Sequence, residues 1–108
     1  FVTMHLDAAV TRGTEIFLTY GEVLHRGNGT LDLRLCEGQS GRACKCAGGN
    51  CANQTDMYIT SGEKKETFTP HFTYHGYRYV QVEGVQSAPR LVGHFVHTNV
   101  TERGQVQF

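Results

Sequence analysis

The stretch FTYHGYRYVQVEG, residues 72–84, decides the fold. Phe72, Tyr74, His75, Tyr77 and Tyr79 put five rings into eight positions, and Val80-Gln81-Val82-Glu83 then alternates strictly. A period of two marks a β-strand. On a strand, Tyr77 and Tyr79 share one face, while Arg78, Val80 and Val82 share the other. Both faces are partly apolar, which fits an inner strand of a two-sheet sandwich. The rings then belong to a core, each tyrosine burying its ring and sending its hydroxyl to a partner at the edge. Gly76 supplies the bend that starts the strand, and Arg78 needs a carboxylate or water. The competing reading is a stacking platform for sugars, with Tyr74, Tyr77, Tyr79 and Arg78 as its candidate residues.

Working outward, the same period recurs. Val2, Met4 and Leu6 alternate with Thr3 and His5, and Ile16, Leu18 and Tyr20 follow after the turn signal Thr11-Arg12-Gly13-Thr14. These two strands are expected to form a hairpin. Leu31, Leu33 and Leu35 read as a third strand, Met57-Tyr58-Ile59 as a fourth, and residues 61–66 as a polar turn. Residues 68–84 read as extended, residues 91–97 as another strand, and residues 106–108 as the last. Seven or eight short strands, punctuated by turns and without a helical period, predict an all-β chain: an antiparallel β-sandwich or jelly roll. One core is what a single domain over residues 1–108 can bury.

The chain has 108 residues, with ten Lys plus Arg against ten Asp plus Glu. No basic stripe points to nucleic acid or an anionic membrane, and no apolar run approaches the ~20 residues of a membrane span. The chain starts mid-pattern with Phe1-Val2 and ends on Phe108, which reads as a domain cut from a longer protein.

Residues 36–55 hold all four cysteines, Cys36, Cys44, Cys46 and Cys51, and almost no large apolar side chain. A loop this long inside a small domain needs a reason. Only the last cysteine pair has a spacing suited to zinc, so no metal site is expected. Two local disulfides are expected instead. The pairings that avoid the tight Cys44–Cys46 ring are Cys36–Cys44 with Cys46–Cys51, or Cys36–Cys46 with Cys44–Cys51. Three of the four asparagines, Asn28, Asn53 and Asn99, stand in Asn-x-Thr sequons. Sequons and clustered cysteines together predict a secreted glycoprotein.

Chemistry is hard to find. His71 and His75 meet only on a helix, and His94 and His97 point to opposite faces of a strand. The carboxylates Glu15, Glu22, Asp32, Asp56 and Glu83 are scattered, and nothing marks any two of them as the pair that glycoside hydrolysis uses. They read as solvated surface charge, and no catalytic residue or cofactor is expected.

Several segments carry a likeness. Gly13-Thr14 leads into a strand ending at Glu22. Asp56-Met57-Tyr58 forms an Asp-x-Tyr strand. Pro70-His71-Phe72 runs to Gly76-Tyr77-Arg78-Tyr79, and the chain closes on His97-Thr98. Together they resemble the concanavalin-like β-sandwich domain of α-L-rhamnosidases, glycoside hydrolase family 78, over nearly the whole chain. The cysteine-bearing insertion departs from the bacterial pattern. The resemblance implies a parent enzyme that removes terminal α-L-rhamnose with inversion. Its catalytic carboxylates sit in a separate helical barrel, so none is carried over here. The partners implied are neighbouring domains of the same polypeptide, that barrel among them. A carbohydrate-binding module for rhamnosylated glycans and an independent extracellular lectin-like domain are the alternatives.

Overall fold

The two alternating runs near the start of the chain become the two central strands of the molecule. The computed structural model describes residues 1–31, 54–101 and 104. Six strands stand among these residues: β1 (Val2–Leu6), β2 (Glu15–Gly21), β3 (Thr55–Ile59), β4 (Glu66–Phe68), β5 (Tyr79–Glu83) and β6 (Arg90–Gly93). They form two antiparallel sheets of three, in the orders β4-β1-β6 and β3-β2-β5. The all-β sandwich is as expected. The count is six strands among the described residues, against seven or eight expected.

Val2, Met4 and Leu6 of β1 pack with Ile16, Leu18 and Tyr20 of β2 in one buried cluster. Each such side chain contributes about 2 kcal/mol relative to exposure. Tyr58, Phe68, Val80, Val82 and Leu91, from the flanking strands, close around it half-buried.

The expected hairpin between the first two strands does not form. The turn is present, with Gly13 at φ +83° and Thr14 N–H donating to Thr11 O at 3.2 Å. However, it carries the chain from one sheet to the other. Residues 7–14 separate the strands, a longer link than the two to five residues or so that join hairpins. Both edges of β1 and both edges of β2 are taken by other strands.

The ring-rich stretch is also shorter as a strand than expected, and among the described residues it lies at a sheet edge rather than inside one. Only Tyr79–Glu83 pairs, with Leu18 opposite Val82 and Tyr20 opposite Val80. Val80 and Val82 face the core, so Tyr79 faces outward. Tyr77 precedes the strand and turns back onto Tyr20, with ring centres 5.2 Å apart. Tyr77 and Tyr79 therefore do not share a face, because pleat alternation begins only at Tyr79. Gly84 ends β5 at φ +94°, where an added Cβ would lie 2.0 Å from Glu15 O. The strand expected over residues 91–97 stops at Gly93. Leu31 makes a single bridge to Leu24. The remainder of the expected third strand, the last strand, the four cysteines and Asn53 lie outside the described residues.

Candidate functional site

Strand pairing gathers several element ends at one end of the sandwich. Val2 of β1 pairs with Gly93 of β6, so Phe1 and His94 lie side by side, bonded in both directions at 2.8 and 3.1 Å. In the other sheet, β2 finishes and β3 and β5 begin at this end. Residues 69–78 close it. They start at Thr69, whose hydroxyl meets Thr3 Oγ1 at 3.0 Å, and finish where Arg78 N–H donates to Gly21 O. Tyr77 ties the two sheets together, its ring against Tyr20 and its hydroxyl donating to Phe1 O at 3.1 Å.

His75 anchors this closing segment. Its ring stacks on Tyr20 with centres 4.4 Å apart. Nδ1 lies 2.8 Å from Gln54 Oε1 and Nε2 lies 3.0 Å from Asp56 Oδ1. An ionised carboxylate only accepts, so Nε2–H donates to Asp56. Asp56, expected at the surface, is buried, because it shares the inward phase of β3 with Tyr58. Its Oδ2 and the Tyr20 hydroxyl are both buried, without a hydrogen-bond partner among the described residues. Burial, and then the charge of Asp56, push the Tyr20 phenol well above its ordinary value of 10.

A second acid, Glu66, was expected in a polar turn and is instead buried at the start of β4. It accepts the Tyr58 hydroxyl and the backbone N–H groups of Ser61 (2.8 Å), Gly62 (3.0 Å) and Glu63 (3.2 Å). The Tyr58 bond, helped by the amides, holds the carboxyl below its ordinary value. The same bond pushes Tyr58 up to about 12.

The structure separates the sugar-platform candidates. Tyr74 is 86% exposed, and Tyr77 is half-buried against the core. Tyr79 is 38% exposed, with the Arg78 guanidinium 5.8 Å from its ring centre. Asn28 lies in an exposed turn, its Oδ1 accepting from Thr30 N–H at 3.1 Å and Thr30 Oγ1 at 2.8 Å. Asn99 is exposed in the segment after β6. Between the β5 and β6 edges runs an open groove lined by Val80, Val82, Val85, Ala88, Pro89 and Leu91. No group of three or more His, Cys, Asp or Glu side chains among the described residues is placed to hold a metal.

Sequence reasoning missed Asp56, Gln54, His75 and Glu66 as partners. The available signal was phase: Asp56 lies two residues before the inward Tyr58. Nothing local marks Gln54 or Glu66.

Known proteins match the chain along most of its length. The family profile of the bacterial α-L-rhamnosidase concanavalin-like domain covers residues 1–103. An α-L-rhamnosidase of Streptomyces avermitilis is 33% identical over 100 residues, covering 90% of this chain and 8% of that protein. An α-L-rhamnosidase of an Alteromonas species is 25% identical over 91 residues, covering 84% of this chain and 8% of the relative. One from Formosa agariphila is 33% identical over 63 residues, covering 56% of the chain and 7% of the relative. The chain thus corresponds to a small part of much longer proteins. No solved structure matches it. A profile match spanning residues 1–103 settles the assignment: the chain belongs to the family of bacterial α-L-rhamnosidase concanavalin-like domains.

Proposed function

We propose that this chain is a non-catalytic accessory domain of a secreted α-L-rhamnosidase, and that its work is structural: packing against neighbouring domains of the same polypeptide. The observation that carries this is the use made of its inward acids. Asp56 holds His75 and Glu66 holds a turn, so both are occupied with the fold. Catalysis by a pair of carboxylates would need both free to face a sugar. The profile match and the long relatives support the parent enzyme.

The test is hydrolysis of an aryl α-L-rhamnoside by the full polypeptide and by residues 1–108 alone. The full polypeptide is expected to release the aryl group and the isolated chain is not. Turnover by the isolated chain would overturn the non-catalytic reading. An inactive full polypeptide would overturn the parent enzyme.

A second reading, a module that binds rhamnosylated glycans, draws on the exposure of Phe72 and Tyr74. Aromatic faces left in water are what a sugar stacks on. Titration with L-rhamnose, followed by NMR at those rings, separates the readings. Saturable shifts would favour binding, and none are expected.

A further inference from the structure

Ten large apolar side chains are exposed among the described residues. Six of them, Phe1, Phe72, Tyr74, Phe95, Val96 and Val100, fall in the closing segment, at the first residue, or in the segment after β6. The two segments leave the sandwich from one corner. Thr3 Oγ1 touches both Thr69 Oγ1 and His94 Nε2, each at 3.0 Å. Phe1 stacks on His94 with centres 4.4 Å apart, and Tyr77 bonds the Phe1 carbonyl. Residues 69–77 and 91–101 contain no Asp, Glu, Lys or Arg. Concentrated aromatic residues without charge are the composition of an interface core, not of ordinary surface.

Phe72 adds an independent sign. Its backbone sits at φ +61°, a left-handed conformation that a bulky side chain rarely adopts. Its side chain is fully exposed. Among the described residues its ring meets only that of the neighbouring His71, tilted with centres 6.2 Å apart, and backbone strain of this kind collects at functional sites.

We infer that this corner, with Phe72, Tyr74 and Phe95 as its anchors, docks onto another domain of the same polypeptide. The inference deepens the accessory-domain reading and rests on it. The occupant follows from the chain path. The Val2–Gly93 pairing brings the start of β1 and the end of β6 together at this corner. Chain that leads into β1 is therefore delivered next to these rings. The relatives are long enough to supply such a domain, since the chain spans only 7–8% of their length. Tethering also makes the encounter intramolecular, so a modest apolar patch suffices.

The test is hydroxyl-radical footprinting of the full polypeptide, read by mass spectrometry. Phe72, Tyr74 and Phe95 are expected to be modified as slowly, for their intrinsic reactivity, as the buried Tyr20. Tyr79, outside the corner, is expected to react faster. In the variant carrying Phe72→Ser and Phe95→Ser, the protection of Tyr74 is expected to be lost while Tyr20 stays protected. Corner rings that react at or above the rate of Tyr79 would overturn the docking. Protection that disappears on dilution would assign the corner to a second copy, and protection that appears only with added L-rhamnose would assign it to sugar. Either result would also overturn it. Rhamnoside hydrolysis measured on the same sample tests the parent-enzyme reading separately: unprotected rings in an active enzyme defeat the docking alone.

Discussion

Glu66 and Asp56 are both acids turned inward from consecutive strands, yet the fold treats them differently. Glu66 receives four donors, three of them backbone amides of a single turn. Among the described residues, Asp56 receives one hydrogen bond, from His75, and its second oxygen has no partner. One carboxylate is saturated by its own neighbourhood in sequence. The other is half-satisfied and reaches across about twenty residues to hold the closing segment. The carboxylate at the β3–β4 turn is therefore satisfied locally, while Thr60 ties the start of that turn to Thr11, Gly13 and Thr14. The ring-bearing end is held by partners distant in sequence: Asp56 and Gln54 on His75, Phe1 O on Tyr77, and the stacking of His75 on Tyr20.

The largest effect is expected where most donors converge. Glu66→Ala leaves three amides and a hydroxyl without their acceptor and should cost about 3 kcal/mol in urea denaturation. A cost below that of Asp56→Ala would break the comparison. Because the folded carboxyl is held below its ordinary value, its contribution is complete above the unfolded glutamate value of about 4.3. It is lost as pH falls from there through the lower folded value. Acid titration of stability should show this loss in the wild type and not in Glu66→Ala.

Asp56→Ala should cost less, about 1–2 kcal/mol, since one hydrogen bond is lost. Its more telling effect is positional: amide exchange at residues 71–77 should speed up while that of the β3–β4 turn does not. Equal acceleration in both would erase the distinction.

Tyr58→Phe removes one donor of the saturated set and should cost about 1 kcal/mol. The folded phenol is raised to about 12, so its contribution is full below the unfolded value of 10 and disappears as pH rises from 10 to 12. The variant should lack that part of the alkaline loss.

Tyr20→Phe is expected to have the smallest effect, within about 0.5 kcal/mol of wild type, because it deletes a buried hydroxyl without a partner. A cost of about 2 kcal/mol would show that the hydroxyl does bond Asp56 in solution. The second carboxylate would then be as well satisfied as the first.

The sandwich was readable from period-two alternation because Val2, Met4, Leu6, Ile16, Leu18 and Tyr20 bury one face of each central strand. Burial is a property of single strands. Pairing partners are not, and the expected β1–β2 hairpin failed for that reason: nothing in either strand says which sheet it joins. The stretch over residues 72–84 misled in the same way. Its alternation holds from Tyr79, but Tyr77 and His75 are positioned by Tyr20, Asp56 and Gln54, which are distant in sequence. Glu66 was hidden because a polar residue in a polar turn looks solvated until its four donors are seen together. The family, by contrast, was readable from Asp56-Met57-Tyr58 and the Pro70 to Tyr79 motif. Such motifs keep together residues that meet only in the fold.

On the function proposed above, this domain supports a rhamnosidase by being folded and in place. The most direct measurement compares rhamnosidase activity and thermal inactivation of the full polypeptide with and without Leu18→Ala. That substitution truncates a fully buried core side chain, a change worth about 2–5 kcal/mol. An accessory domain of this kind should leave kcat and KM at 25 °C unchanged while inactivation moves to a lower temperature. Lost activity at 25 °C with an unaltered inactivation temperature would contradict it.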